Sequence, residues 1–329
     1  MSFKKIPRQQ FLYEISKLHY IDKISQKELA LIYKVSTATI SRTLQEAEDM
    51  EIVSIKVNDI LGTKRKLENE LESKYNLKKA VISFVPYNDE SLIKNIVGKS
   101  AASFINEVLH ENMMIGIAWG SSLYEMVKFL KSKPLNNLKV VDLIGSVGKL
   151  FSDINASELA RKFAQNFNAE NYFLNSLALV QNKETKEFLV REKEIKDVLE
   201  MAKRLDMAII SIGTVSFDSV VIKDLKIDRD TLEDIRSKGA LGDICLRFFD
   251  KNGNKVKTGL DSRIIGIDLD DFKKVKMKIC VSGGLSKLEA IKAALRNKFI
   301  DILITDSLVA EVLLNGKTNR VNINIHWNS

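Results

Sequence analysis

The sequence of 329 residues is poor in several residue types, and each scarcity excludes a class of protein. Its two cysteines, Cys245 and Cys280, are too few for a disulfide framework and too far apart for a metal site, and both lie in apolar stretches that predict strands. Only three prolines are present, so a proline-rich linker is excluded. No stretch approaches the roughly 20 apolar residues of a membrane helix, and residues 1–5 lack a signal peptide's apolar core. We therefore expect a cytoplasmic protein with no cofactor, metal site or membrane contact.

Charge is unevenly distributed along the chain. The formal net charge of +8 permits a nucleic-acid partner without requiring one. Residues 1–45 contain eight basic and three acidic side chains, so most of the excess lies there. The length allows one small and one large domain.

The N-terminal segment has the order of elements found in a winged helix-turn-helix. Apolar spacing over Arg8–Tyr20 predicts a supporting helix. Ser25–Glu28 is a capping box, so a second helix begins there. The predicted buried face of that helix consists of Leu29, Ala30 and Ile32. After a short turn, Ser36 caps a third helix, whose inward stripe consists of Ile40, Leu44 and Ala47. Ile52–Val57 alternates as a strand does and supplies a wing.

The outward face of the third helix carries small or hydrogen-bonding residues near its N-terminus, where a helix that reads the major groove presents them. We predict that double-stranded operator DNA is contacted by Ser36, Thr37, Thr39, Ser41, Arg42 and Gln45. A polar outward face is common on any surface helix. The complete ordered unit is what favours a DNA-binding domain over residues 1–57.

Residues 58–77 predict a linker helix. Ile60, Leu67, Leu71 and Tyr75 form one narrow apolar stripe within a highly charged segment. Such a stripe packs either on the following domain or on its equivalent in a second chain. A two-fold dimer would match a palindromic operator.

Residues 78–329 alternate short apolar strands with amphipathic helices, which predicts an α/β domain with a mostly parallel sheet. Ligands of such sheets bind at the carboxyl ends of strands. The predicted strand Met113–Ala118 leads through Gly120, Ser121 and Ser122 into a helix, an arrangement that suits a phosphate. Gly-Ser-Ser is also common in plain turns.

A second turn of this kind, Ser282–Gly284, follows the predicted strand Ile279–Val281 and precedes Lys287. A lysine in the first turn of a helix opposes the helix dipole, so Lys287 either reaches into solvent or is held to meet an anion. Between the two turns, Asp243 precedes a predicted strand at Ile244–Phe249. Its carboxylate accepts sugar hydroxyls or caps a turn. The hairpin signal Asp250–Gly253 follows.

The chain resembles the SorC/DeoR-like sugar-binding transcriptional regulators, most closely their deoxyribonucleoside-regulator branch. In the N-terminal domain the matching stretches are Ser25-Gln26-x-Glu28-Leu29-Ala30 and Val35-Ser36-x-x-Thr39-Ile40-Ser41-Arg42. Beyond it they are Gly116–Ser122, Asp142–Gly145, Gly213–Val215, Gly239–Ile244, Arg263–Gly266, Gly283–Ile291 and Leu303–Asp306. Two positions depart from the family: Lys34 replaces the usual Gly or Asn of a left-handed turn, and Ile144 replaces a Lys or Arg that lies near the sugar in several members.

The resemblance implies an effector domain with a phosphosugar-isomerase-like, Rossmann-like fold and no catalytic activity. It also implies a homodimer or homotetramer, and a phosphorylated sugar that controls the affinity of the protein for its operator. By position, the implied effector contacts are Gly120, Ser121, Ser122, Asn155, Asp243, Arg263 and Lys287. The implied role is that of a repressor of carbohydrate or nucleoside catabolism. Because Ile144 can neither pair with an anion nor form a Schiff base, the effector's identity cannot be copied from relatives, and a smaller or less charged ligand is plausible.

The main alternative is a phosphosugar isomerase-like enzyme with an accessory DNA-binding domain. Such chemistry needs a positioned base and usually a proton carrier. The three histidines, His19, His110 and His326, lie in no ligand-loop motif. Asp142, Asp243 and Asp306 remain as possible bases. An RNA-binding or purely structural DNA protein would leave both anion-binding turns unexplained.

Overall fold

The computed structural model describes residues 7–54, 62–146, 156–217, 219, 222–223 and 225–317. The chain divides into two compact units, residues 1–61 and 62–329. Across the described ranges, no helix combines the length and the apolar character needed to cross a membrane.

The described part of the first unit, residues 7–54, contains three helices and a π-helical turn. They are α1 (Arg8–Ser16), the π-helical turn (Lys17–Ile21), α2 (Gln26–Tyr33) and α3 (Thr37–Asp49). The capping box predicted for α2 is present: the Glu28 amide donates to the Ser25 hydroxyl at 3.2 Å, and the Ser25 amide donates to the Glu28 carboxylate at 2.9 Å. The Thr39 amide likewise donates to the Ser36 hydroxyl at 3.1 Å, so α3 begins where predicted.

The inward stripe predicted for α3 is confirmed, because Ile40, Leu44 and Ala47 are all buried. The prediction for Ile32 on α2 is wrong: its side chain is 59% exposed. Successive helical residues are about 100° apart, so Tyr33 lies between Leu29 and Ala30 on the buried face whereas Ile32 lies outside it.

Lys34, the residue that directly follows α2, adopts the left-handed conformation with φ of 53° and ψ of 44°. The left-handed turn expected at this position is therefore present, at a cost of about 1 kcal/mol for a residue with a Cβ. The described part of the predicted wing, Ile52–Ser54, is not a strand. Residues 55–57 lie outside the described residues, so the wing stays a prediction.

The second unit is built on a seven-stranded sheet whose strands are all parallel, as predicted. The strands are β1 (Lys79–Ser83), β2 (Met114–Ile117), β3 (Lys139–Asp142), β4 (Glu170–Tyr172), β5 (Met207–Ile210), β9 (Lys278–Val281) and β10 (Ile302–Asp306), in the order β1-β10-β9-β5-β2-β3-β4. The strands β2, β3 and β4 follow one another towards one edge of the sheet, whereas β5 and β9 follow one another towards the opposite edge. The strand order therefore reverses between β2 and β5, which is where ligands bind in sheets of this class.

The described helices of this unit are α4 (Thr63–Tyr75), α5 (Glu90–Val108), α6 (Ser121–Lys128), α7 (Ala156–Phe167), α8 (Lys183–Leu189), α9 (Lys193–Ala202), α10 (Arg229–Ser237), α11 (Leu269–Phe272), α12 (Leu288–Arg296) and α13 (Ser307–Asn315). A 3₁₀ turn, Leu285–Lys287, precedes α12. The buried faces of α6 and α12 contain Leu123, Met126, Val127, Ile291, Ala294 and Leu295.

A second, three-stranded antiparallel sheet contains β6 (Gly213–Thr214), β7 (Gly242–Ile244) and β8 (Arg247–Phe249). The prediction of one strand over Ile244–Phe249 is therefore wrong. Cys245 and Leu246 have φ of 51° and 62° and form a two-residue hairpin turn between β7 and β8. Cys245 consequently lies in a turn and not in a strand.

Helix α4, the predicted linker helix, packs on its own unit. Leu71 is fully buried, and α4 contacts β1 and α13. Glu72 accepts the Ala80 amide at 3.1 Å, and Glu68 accepts the Ile82 amide at 3.0 Å. These two carboxylates satisfy amides on the outer side of β1, which would otherwise be an unprotected sheet edge.

Candidate functional site

A cavity of about 340 Å³ lies at the carboxyl ends of β2, β5 and β9, where the strand order reverses. Its lining consists of Glu90, Lys94, Ala118, Trp119, Gly120, Ser121, Ser211, Ile212, Gly213, Thr214, Ser216, Ser219, Asp243, Cys245, Ser286 and Lys287. It brings together residues from both predicted anion-binding turns.

The first side of the cavity is the beginning of α6. Gly120 precedes the helix with φ of 146°, a conformation that residues with a Cβ rarely adopt, and an added Cβ would lie 3.3 Å from the Cβ of Ser211. Ser121 starts the helix and lines the cavity, so an anion there would meet free backbone amides at the positive end of the dipole. Ser122 is buried and does not line the cavity.

Lys287 lies on the other side, at the end of the 3₁₀ turn. Its Nζ donates to the Ser211 hydroxyl at 3.5 Å, so the side chain points into the cavity and not into solvent. Burial and then the nearby charge of Lys94 lower the pKa of Lys287. Both effects disfavour the charged ammonium, and a bound anion would favour it.

Asp243 caps a turn, which is one of the two roles that the sequence left open, and it also lines the cavity. Its Oδ2 accepts the Leu246 amide at 3.0 Å, so it caps the hairpin turn, and the buried side chain also lines the cavity. Burial raises the pKa of Asp243 to about 6, although the Leu246 amide and the charge of Lys287 act in the opposite direction. Gly213 lies directly opposite in the β6–β7 pairing.

The cavity is also lined by residues that belong to none of the sequence motifs. Glu90 and Lys94 come from the first two turns of α5, and four hydroxyls come from the segment after β5: Ser211, Thr214, Ser216 and Ser219. Asp89 caps α5 by accepting the Leu92 amide at 2.7 Å, a signal that could have located the helix start. Nothing local to α5 indicates that its first turn faces Lys287.

Two further positions discussed above, Arg263 and Ile144, do not line the cavity. Arg263 donates from Nε to the Val180 carbonyl at 2.9 Å and does not line the cavity. Ile144 is fully buried, is bridged to Gly266 and lies outside the lining as well. Asn155 lies outside the described residues.

The possible bases other than Asp243 have structural partners. Asp142 is buried and accepts the Leu174 amide at 3.1 Å. Asp306 accepts the Gly284 amide at 2.7 Å and caps α13. Neither His19 nor His110 lines the cavity, and His326 lies outside the described residues. Within the described ranges, no group of three His, Cys, Asp or Glu side chains is arranged to hold a metal ion.

In the first unit, all six predicted DNA-contacting residues are exposed on or beside α3: Ser36, Thr37, Thr39, Ser41, Arg42 and Gln45. The hydroxyls of Ser36 and Thr39 bond to each other at 2.8 Å. Gln45 donates to Asp49 at 3.0 Å. For Arg42 the described part of the chain shows no hydrogen bond or ion pair, so its guanidinium keeps its donors for a partner.

Comparison with known proteins places this chain in a family. Residues 61–315 match the family described as "Putative sugar-binding domain", and the chain belongs to this family of SorC/DeoR-type regulators. The deoxyribonucleoside regulator of Bacillus subtilis is 29% identical over 308 residues, which cover 94% of this chain and 98% of that protein. The full-length sorbitol operon regulator SorC of Klebsiella pneumoniae has a structure with a TM-score of 0.77 and 25% identity, covering 94% of this chain and all of that one. A DeoR family transcriptional regulator from Listeria monocytogenes has a TM-score of 0.72 and 28% identity over 77% of this chain and all of that chain.

Proposed function

We propose that this protein is a DNA-binding transcriptional regulator, a repressor of carbohydrate or nucleoside catabolism, whose operator affinity is controlled by a phosphorylated sugar. One observation carries the proposal: a single cavity contains the N-terminus of α6 and the side chain of Lys287. The names of the relatives support a regulator that responds to a sugar or nucleoside.

The chemistry of the cavity suits a sugar phosphate. Phosphate oxygens bind backbone amides at a helix N-terminus and an ammonium group. The four hydroxyls after β5 and the Asp243 carboxylate supply donors and acceptors for sugar hydroxyls. A cavity of about 340 Å³ lies at the small end of the range for small-molecule sites, which favours a monosaccharide phosphate.

The effector half of the proposal is tested by measuring the unfolding temperature of the full chain with a panel of pentose and hexose phosphates. A bound compound stabilises the protein by an amount that grows with the ratio of its concentration to Kd. We expect at least one sugar phosphate to raise the unfolding temperature, and Lys287→Ala to weaken its binding about tenfold to a hundredfold, since a hydrogen bond to a charged group contributes about 1.5–3 kcal/mol. A panel without effect, or a Lys287→Ala protein that responds as the wild type does, would contradict the site.

The DNA-binding part of the proposal is tested with DNA from upstream of the protein's own gene. This DNA is first searched for an inverted repeat that the protein binds. Because Arg42 is exposed and keeps its donors, we expect Arg42→Ala to weaken operator binding by about tenfold to a hundredfold, the range for one base contact. Gel-shift titration measures the change. Arg161→Ala, which removes an exposed arginine in the second unit, is the matched control and should bind as the wild type does. Equal affinities of the two variants would mean that α3 does not read the DNA.

The enzyme alternative lacks support from the cavity. Asp243 is the one carboxylate of the three candidate bases that lines it, and neither described histidine is present to carry a proton. The named relatives are regulators. A regulator therefore accounts for the observations with fewer assumptions.

A further inference from the structure

A second lysine lines the cavity, and the sequence motifs do not include it. Lys94 lies one helical turn after Glu90 at the start of α5, and its side chain is 26% exposed. Its Nζ is 3.3 Å from Glu90 Oε2. A Glu–Lys pair four residues apart is ordinary on a surface helix, but here both members face a ligand cavity.

Glu90 also connects α5 to the turn that carries Lys287. Its Oε1 accepts the Ser286 hydroxyl at 2.9 Å, and Ser286 immediately precedes Lys287. The Leu285 amide donates to Asn88 Oδ1 at 3.4 Å, which joins the same two segments a second time. The start of α5 is thereby held against the turn, and Lys94 is held beside Lys287.

The carboxylates and ammonium groups of the cavity differ in how many of their hydrogen bonds are already formed within the protein. Both carboxylates accept bonds within the protein, Glu90 from Ser286 and Lys94, and Asp243 from the Leu246 amide. The hydrogen bond from Ser286 is the largest of the effects that hold the pKa of Glu90 below its ordinary value, so this group is ionised at neutral pH. Each ammonium has three donors, and the described residues supply one bond to each, at 3.3 Å and 3.5 Å.

We propose, on the basis of the function proposed above, that Lys94 is a second cation of the effector site, which makes the site selective for a doubly charged phosphate monoester over the carboxylate of a sugar acid. A phosphate presents three terminal oxygens and a charge of about −1.5 to −2 at neutral pH. One oxygen meets the amides of α6, and the others meet Lys287 and Lys94. A carboxylate carries a single charge, so it gains less than a phosphate does from two neighbouring ammonium groups.

The test uses the full chain with inorganic sulfate and acetate as probes of double and single charge, since both keep their charge at pH 7.5. Thermal-shift titrations give the dissociation constants. We expect sulfate to bind more tightly than acetate to the wild type, and Lys94→Gln to weaken sulfate binding about tenfold and acetate binding less. Lys94→Arg keeps the charge and should retain most of the sulfate affinity. Lys99→Gln removes a charge from an exposed position on the same helix and should match the wild type.

The outcomes separate this proposal from the proposed function. Equal sulfate affinities for Lys94→Gln and Lys99→Gln would overturn it, and so would the absence of sulfate binding to the wild type. If sugar phosphates bind but Lys94→Gln responds to them as the wild type does, the proposal fails and the proposed function stands. If sulfate binding depends on Lys94 while no sugar phosphate binds, the second cation stands and the proposed function fails. The unfolding temperature of each ligand-free variant shows whether it is folded.

Discussion

Replacement of Gly213 by alanine is expected to weaken sugar phosphate binding more than a hundredfold. An added Cβ at Gly213 would lie 2.0 Å from Asp243 Oδ1 and 2.9 Å from Asp243 Cγ. The carboxylate cannot move away freely, because its other oxygen accepts the Leu246 amide. It must therefore leave this bond or shift into the cavity, and either change removes the acceptor for sugar hydroxyls from its place. Loss of a hydrogen bond to a charged group accounts for up to about 3 kcal/mol of binding free energy, which corresponds to the hundredfold change.

Gly259→Ala is the control for the Gly213 variant, because an added Cβ there meets nothing within 4 Å and its backbone is not left-handed. It should bind sugar phosphates as the wild type does. We expect Gly213→Ala to lower the free energy of unfolding of the ligand-free protein by only about 1 kcal/mol, and to leave operator binding intact. Calorimetric titration with the sugar phosphate selected by the thermal screen measures the affinities. Unchanged binding by Gly213→Ala would show that Asp243 does not contact the sugar.

The features that the sequence predicted correctly depend on residues close together in the chain. Both helix caps of the first unit join residues three positions apart, so their pattern is visible without any tertiary information. The turns at Gly120 and Lys287 follow strands and precede helices, and the parallel sheet then brings their ends to one edge. This is why the sequence could predict that both turns belong to one site.

The features that the sequence did not predict include one contact between distant residues and two local features without an ordinary signal. Ser286 and Glu90 are 196 residues apart, and no local pattern indicates their hydrogen bond. The hairpin turn at Cys245 and Leu246 contains none of the Gly, Asn or Asp residues that ordinarily mark such turns. Its left-handed backbone is accompanied by the bond from the Leu246 amide to the Asp243 carboxylate three residues earlier. Ile32 is exposed although it is apolar, because an apolar side chain does not always lie on the buried face of its helix.

Conversion of Asp243 to asparagine is expected to stabilise the protein at neutral pH and at the same time to remove its response to sugar phosphates. The pKa of Asp243 is raised from 3.8 to about 6 by burial, which means that the folded state disfavours the carboxylate. At about 1.36 kcal/mol per pKa unit, the ionised group costs about 3 kcal/mol at pH 7.5. Asparagine has no charge to bury, and its side-chain oxygen can still accept the Leu246 amide.

The sign of the pH dependence follows from the direction of this shift. A raised pKa in the folded state means that Asp243 contributes most stability below pH 4 and loses that contribution as the pH rises through 6. The asparagine variant lacks this titration. Its advantage in the free energy of unfolding should therefore be absent near pH 4, grow between pH 4 and 6, and be complete above pH 7. Urea unfolding of both proteins at several pH values measures the difference, in which the titrating groups that do not interact with Asp243 cancel.

Asp228→Asn is the surface control, because Asp228 is exposed at the N-terminus of α10 and the Thr231 amide lowers the pKa of its carboxylate. Asparagine caps a helix about as well as aspartate does, so this variant should gain no stability at neutral pH. A gain for Asp243→Asn alone, accompanied by loss of sugar phosphate binding, would show that the buried carboxylate is retained for the ligand at the expense of stability, as is common at binding sites. If Asp243→Asn is no more stable than the wild type at pH 7.5, the carboxylate is ionised in the folded protein without cost, and the cavity is better hydrated than its burial indicates.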